Sequence, residues 1–224
     1  PAGGWQALSK NPILAGAVGS NNSWTSGEGI AHGYQASERS HDVIVRDGNF
    51  DTLNTAEPFM VVFSAGNIGS TPSTITAPKE AKKVIVVGGT QTWRYDADVD
   101  ALYRFSSRGP AVDGRILPTI VAPGREVSST RNDGASQCAN NISNTNGLYS
   151  FCTGTSMAAP HASGALALLT EWWRNNHAGA NPSPAMGKAL LINSATDISG
   201  AAAIPNFDEG WGRINLNNIL QPTT

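Results

Sequence analysis

Charge is scarce in this chain. Lysine and arginine together number 15, aspartate and glutamate 17, and the net charge is −2 over 224 residues. No basic run occurs, and no interleaving of Lys or Arg with aromatic residues, which excludes a nucleic-acid surface of the usual electrostatic kind. Long apolar runs are also missing. None approaches the roughly 20 residues that span a bilayer, so no membrane partner is expected. Cysteine is nearly absent, with Cys138 and Cys152 alone. Neither is a nucleophile candidate, because no base motif accompanies it. They flank a polar segment, Ala139 to Ser150. A disulfide closing that loop would stabilise by about 3 kcal/mol in the chain-entropy picture; two unpaired thiols are the alternative. No signal peptide opens the chain, and Pro1-Ala2-Gly3-Gly4 reads as a cut start.

What is abundant is Gly, Ser, Thr and Asn, which suits a secreted, loop-rich enzyme. The length fits one domain and can bury a sizeable core. No internal repeat is present. Elements alternate, which implies an α/β fold. Ile13 to Val18 reads as a short strand, Glu38 to Val45 as a helix, and Gly48 to Pro58 as a loop. Met60-Val61-Val62-Phe63 is a buried strand. Ile68 to Pro78 is rich in Gly, Pro, Ser and Thr and reads as a loop. Lys83 to Gly89 is a second buried strand, its β-branched run suited to a parallel sheet covered on both faces. Ile120 to Gly124 is a further strand end. Helices are expected over Thr155 to Asn175 and Ser183 to Ser194, the second with Pro182 and Pro184 at its start.

The chemistry concentrates in Gly154-Thr155-Ser156-Met157-Ala158-Ala159-Pro160-His161. This reads as a serine at the first turn of a helix, with Gly154 allowing a sharp turn. A helix N-terminus offers unpaired N–H groups and a partial positive charge. Both suit a serine whose attack generates an oxyanion. A helix cap with small residues for close packing is the alternative. Upstream, Ser64-Ala65-Gly66-Asn67 closes the Met60 strand. Ligands of open parallel sheets lie at the carboxyl ends of strands. Asn67 is thus placed to donate a side-chain amide, with the Ser156 N–H as second donor. Taken alone, Asn67 would be a turn residue.

The serine motif resembles that of the subtilisin-like proteases, the subtilases. The resemblance runs from about Gly16 to Leu220 and is nearest in style to the larger bacterial members. Phe105-Ser106-Ser107-Arg108-Gly109-Pro110 is similar to a subtilase turn, and Ala122-Pro123-Gly124 to a strand end. Gly210-Trp211-Gly212-Arg213 is similar to the segment that closes the domain. Ser20-Asn21-Asn22-Ser23-Trp24 resembles the strand end on which the family binds substrate, with Thr25 where a Gly is usual. The resemblance implies a three-layer fold, a mostly parallel sheet with helices on both faces. It implies a serine endopeptidase with Ser156 as nucleophile and Asn67 in the oxyanion hole. Substrate would pair near Ser23, Trp24, Ser64, Ala65 and Gly66.

The triad also needs a histidine base and an aspartate that orients it. The family's Asp-Ser/Thr-Gly and His-Gly-Ser/Thr-His-Val motifs are not found. By resemblance His161 is a buried packing histidine. His177 lies in a helix-end segment. His32 is followed by Gly33, but Tyr34 and Gln35 break the pattern. His41 precedes Val43-Ile44-Val45, where the family has a variable helix. Residues 1–224 are therefore expected to be the C-terminal portion of a subtilase catalytic domain, secreted, with Asp and His lying outside the chain. Its partners would be a polypeptide substrate and the N-terminal half of the domain or another chain. Without them an interior strand edge is bared. A non-catalytic, peptide-binding pseudoprotease is the competing reading; a hydrolase using His32 or His41 is a third. Ile68 and Thr76 fall near the pocket for the residue before the scissile bond, and neither is acidic, so an uncharged residue is expected there. No cofactor is expected. The family often holds calcium or sodium in the region of Ala77 to Lys83, but Lys79, Lys82 and Lys83 make that loop cationic, and no metal residue is assigned.

Overall fold

The computed structural model describes residues 4–94, 98–131, 138, 140–198 and 202–221. In chain order its elements begin with α1 (Gly4–Leu14), β1 (Gly19–Asn22), α2 (Ala36–Arg46), β2 (Met60–Ser64), β3 (Ile85–Thr90) and β4 (Ile120–Pro123). They continue with β5 (Val127–Thr130), β6 (Asn140–Asn141), β7 (Tyr149–Cys152), α3 (Thr155–Asn176), α4 (Pro184–Ser194) and α5 (Asn217–Leu220). The first four strands form one parallel sheet in the order β1-β2-β3-β4. The α/β fold is the one the alternating sequence implies.

Every residue of β2 and β3 is buried, because each face of the sheet carries helices. Side chains alternate between faces along a strand. Met60, Val62, Ile85, Val87, Ile120 and Ala122 share one core with α3 and α4. Val61, Phe63, Val84 and Val86 point the other way, into a core with Ile44 and Val45 of α2 and Trp5 and Ile13 of α1. On α3 the inward stripe is small at first: Ala158, Ala159, Ala162 and Ala165 are all buried. Short side chains let the helix lie close to the strands before Leu166 and Leu169 widen the gap. Helix α4 starts where expected, with the Ser183 hydroxyl accepting from Met186 N at 3.2 Å and Pro184 in the first turn.

Two expectations are corrected. The apolar pair Ile13-Leu14 ends a helix rather than opening a strand, and β1 begins only at Gly19. Ile13 packs on the α2 face of the sheet, so its burial comes from helix–sheet packing. The polar segment before the serine motif is a second sheet, antiparallel, in the order β5-β7-β6. Cys138 and Cys152 are bridged, with their Cα atoms 4.8 Å apart. Within the segment they flank, Ala139 lies outside the described residues.

The two edges of the parallel sheet differ. Beyond β4, Val121 N donates to Gly212 O at 3.0 Å and Ile214 N to Val121 O at 3.1 Å, so the residue 210–214 segment finishes that edge. Beyond β1 no strand pairs among the described residues. A groove of about 320 Å³ runs there, lined by Val18, Ser20, Met60, Val62, Leu166 and Thr170 among others. No helix among the described residues is long and apolar enough to cross a membrane.

Candidate active site

Three strand ends converge on the start of α3. Gly124, just past β4, accepts from Gly154 N at 2.8 Å. Gly154 takes φ +152° and ψ 166°, a conformation open essentially to glycine. A Cβ on it would meet Asn67 Nδ2 at 3.2 Å. The chain then enters the helix at Thr155 and Ser156.

Ser156 is half-buried. Its N–H belongs to the first helical turn, which has no intrahelical acceptor, and no other acceptor reaches it among the described residues. Its carbonyl is freed for a second reason: the residue four positions on is Pro160, which carries no N–H. The Ser23 hydroxyl, one residue past β1, donates to that carbonyl at 3.1 Å. A proline inside the helix thus ties the end of β1 to the nucleophile candidate.

Asn67 is oriented by its partners. Its Oδ1 accepts from Thr155 N at 2.9 Å and lies 3.1 Å from Thr155 Oγ1. Because the N–H must meet the oxygen, the amide is held with Nδ2 on the side of Gly154. Thr155 Oγ1 also accepts from Gly66 N at 3.1 Å. This fully buried hydroxyl joins the end of β2 to the start of α3. Sequence reasoning missed Thr155 as a positioning residue; its place between Gly154 and Ser156 was the available signal. The turn Phe105 to Pro110 supports the same loop, with Ser107 N donating to Gly66 O at 2.9 Å and Ser107 Oγ accepting from Ile68 N at 3.2 Å.

The other candidate residues are placed unequally. Ser64 and Ala65 are buried in the sheet, and Ala65 N donates to Val87 O at 2.9 Å. Gly66 is half-buried beside Asn67. The Trp24 ring stacks on Trp5 with centroids 5.0 Å apart and meets His41 and Phe63. It therefore faces the α1 and α2 layer. Thr25 donates from its hydroxyl to Ala77 O at 2.9 Å, which gives the side chain a place where the family has none.

None of the four histidines hydrogen-bonds Ser156 among the described residues. His41 is buried, and burial holds its pKa below the ordinary value; its Nδ1 lies 2.8 Å from Ser37 O. His32 lies between Glu28 at 3.8 Å and Glu38 at 4.0 Å. His177 caps α3 and stacks on Trp173. His161 departs from expectation: it is exposed, at the rim of a cavity beside β5 and β7, with Nδ1 2.9 Å from Met157 O. It points away from the stripe that packs on the sheet.

The loop from Ala77 to Lys83 does not fit a structural cation. The Ala77 carbonyl already accepts from Ser26 N and the Thr25 hydroxyl, and the Lys79 amine is buried within the loop. Among the described residues no group of three or more His, Cys, Asp or Glu could hold a metal.

The start of α3 thus carries a serine hydroxyl and an N–H that meets no acceptor among the described residues, on the carboxyl side of a parallel sheet. The subtilase family model matches residues 11–212, and the chain belongs to that family. It is 36% identical over 165 residues to serine protease AprX of Bacillus subtilis, covering 72% of this chain and 35% of that protein. It is 30% identical over 192 residues to pyrolysin of Pyrococcus furiosus, covering 74% of this chain and 13% of the other. Among solved structures, the Patellamide maturation protease PatA superposes with a TM-score of 0.67 at 21% identity, over 98% of this chain and 68% of that one. Fervidolysin of Fervidobacterium pennivorans gives 0.55 at 29% identity, over 74% and 23%. The chain spans 8% of the Dictyostelium discoideum serine protease/ABC transporter protein tagD that it also matches. These curated relatives are thus about three to twelve times as long as the matched part.

Proposed function

We propose that this chain is the serine- and oxyanion-bearing C-terminal portion of a secreted subtilase endopeptidase, and that the triad Asp and His are supplied from outside it. Ser156 Oγ attacks the peptide carbonyl. A histidine from the other portion takes the proton and returns it to the leaving amine. Asn67 Nδ2 and the Ser156 N–H hold the oxyanion. The backbone at Ser23, Trp24 and Gly66 lies along the substrate.

The observation that carries this reading is the Asn67–Thr155 pairing. It spends the amide oxygen on the helix N-terminus and leaves the amide nitrogen toward Gly154, two residues before a serine whose own N–H meets no acceptor among the described residues. Two observations favour an outside source for the base. All four histidines have surroundings that do not include a Ser156 hydrogen bond, and the unpaired β1 edge with its groove suits further strands. Action outside the cell is consistent with the Cys138–Cys152 bridge, which persists in oxidising surroundings.

Fluorophosphonate labelling tests it. The chain is treated alone and after mixing with the N-terminal half of a related subtilase, with Ser156→Ala as control. Labelling that appears only in the mixture, and depends on Ser156, is the expected result. Ser156-dependent labelling of the chain alone would place the base within it. Peptide binding with no labelling in either case would make this a pseudoprotease.

A further inference from the structure

A larger cavity than the β1 groove lies at the other end of the sheet from Ser156. It encloses about 650 Å³, against about 320 Å³ for the groove. Arg46 at the end of α2 borders it, with Pro58 just before β2, Lys83 just before β3, and the start of α4. It therefore sits at the amino ends of β2 and β3, whereas Asn67 and Gly154 lie past the carboxyl ends of the strands. Its walls are largely apolar, Val45 and Ile192 among them, with alanines and prolines between.

Charge is scarce in this chain, yet four of its 15 lysines and arginines line this one cavity: Arg46, Lys82, Lys83 and Lys188. No aspartate or glutamate lines it among the described residues. None of the four makes an ion pair among those residues either. The neighbouring carboxylates are engaged elsewhere. Asp42 accepts from Lys83 N at 2.7 Å and from the Tyr34 hydroxyl at 2.8 Å. Asp47 accepts from Asn49 N, and Glu57 from the Asn49 amide and the Thr52 hydroxyl. The Lys82 amine lies over the Tyr34 ring, 4.7 Å from its centre. Lys188 donates to the carbonyls of Lys82 and Val84 at 3.2 and 2.8 Å, which uses two of the three donors of an ammonium. Burial lowers this amine to about 8, with Arg115 adding to the effect and Asp42 opposing it. Arg46 and Lys83 are exposed, and their side chains meet no acceptor among the described residues.

We infer that this cavity binds a small organic anion with an apolar body. Arg46, Lys83 and the spare Lys188 donor hold its carboxylate or phosphate head, and Val45 and Ile192 take its body. Three free cationic groups around one space repel one another unless an anion joins them. A guanidinium fork grips a carboxylate or phosphate through two parallel N–H bonds. Apolar walls with a few polar groups gathered in one place, at this volume, are the usual make-up of a small-molecule site. The bound anion would bridge α2 and α4, which pack on opposite faces of the sheet. The inference does not depend on the peptidase reading, because the cavity shares no residue with the Ser156 and Asn67 site.

Calorimetry on the full-length protein that carries this chain tests it. The probes are octanoate and octyl phosphate, with octan-1-ol as their uncharged counterpart. At least one of the two anions is expected to bind more tightly than the alcohol by about tenfold or more, the range for hydrogen bonds to a charged group. The tighter of the two identifies the head. Acetate and inorganic phosphate, which have no body for the apolar walls, should bind more weakly than the octyl probes by about tenfold or more. Arg46→Gln combined with Lys83→Gln should cut the advantage over the alcohol to less than about threefold. Both side chains are exposed, so this variant should keep its unfolding midpoint and the loss can be assigned to the cavity. Three results overturn the inference: no binding of either octyl anion, an alcohol that binds as tightly as both, or an advantage that the double variant keeps. Acetate or inorganic phosphate binding as tightly as the octyl probes also overturns it, since the walls would then play no part.

Discussion

At one edge of the sheet the chain returns to finish what it started; at the other no strand pairs among the described residues. Beside β4 the residue 210–214 segment supplies backbone partners to Thr119 and Val121 and is itself pinned by Thr196. The fit is close enough that Gly210, at φ +66°, has Pro118 O only 2.1 Å from where a Cβ would be. Beside β1 no strand pairs among the described residues, and a groove runs there. The candidate chemistry sits toward the unfinished side: Ser23 extends from β1, and Asn67 from its neighbour β2. The finished edge is closed by the chain's own 210–214 segment, whereas the other has no paired strand among the described residues. An open edge of this kind pairs readily with added chain.

The contrast can be broken from its closed side. Gly210→Ala puts a side chain into backbone at a left-handed position, and is expected to cost roughly 4–5 kcal/mol, read as a shifted urea midpoint. A loss below 1 kcal/mol would mean that the 210–214 segment is not what holds that edge. On the open side the largest effect should be on rate. Asn67→Ala in the assembled enzyme should lower kcat by about 10²–10³ with little change in KM; that magnitude was measured on subtilisin, a member of the same family. An unchanged kcat would remove Asn67 from the oxyanion hole.

The smallest effect is a titration. Lys79 is lowered from its ordinary 10.5 to about 8. Between those values the unfolded chain keeps the proton and the folded chain does not. Stability should therefore rise with pH from about 8 to about 10.5. Lys188, also lowered to about 8 by burial, adds a slope of the same sign. Removing the charge in Lys79→Met should flatten part of the slope and stabilise the fold at pH 7 by up to about 3 kcal/mol. Urea midpoints at pH 7 and pH 10 read both, and a destabilised variant at pH 7 would show that the amine is satisfied in the fold.

Legibility followed burial. β2 and β3 were plain in the sequence because both their faces are covered and the apolar run is continuous. β1 was misplaced by several residues because Gly-Ser-Asn-Asn carries no apolar signal, while Ile13-Leu14 nearby belongs to a helix. β5, β6 and β7 are built of Ser, Thr, Asn and Tyr on a partly exposed surface, and backbone pairing rather than pattern defines them. The segments of Ser156 and Asn67 were legible as motifs, and the fold brings them together. The part played by Thr155 was not, since it lies in a contact across the chain, to Gly66, 89 residues away. The exposure of His161 could not be read from a motif that places it only on the helix.

Gly154 also sets a limit on how such a sequence can vary. Gly164, nearly three turns along the helix that Gly154 caps, has nothing within 4 Å of a Cβ, so drift to alanine or serine there leaves every contact in place. At Gly154 any missense change adds a carbon where φ is +152° and the Asn67 amide stands 3.2 Å away. Of the two glycines, one codon is free to wander and the other is fixed for as long as the serine beside it is in use.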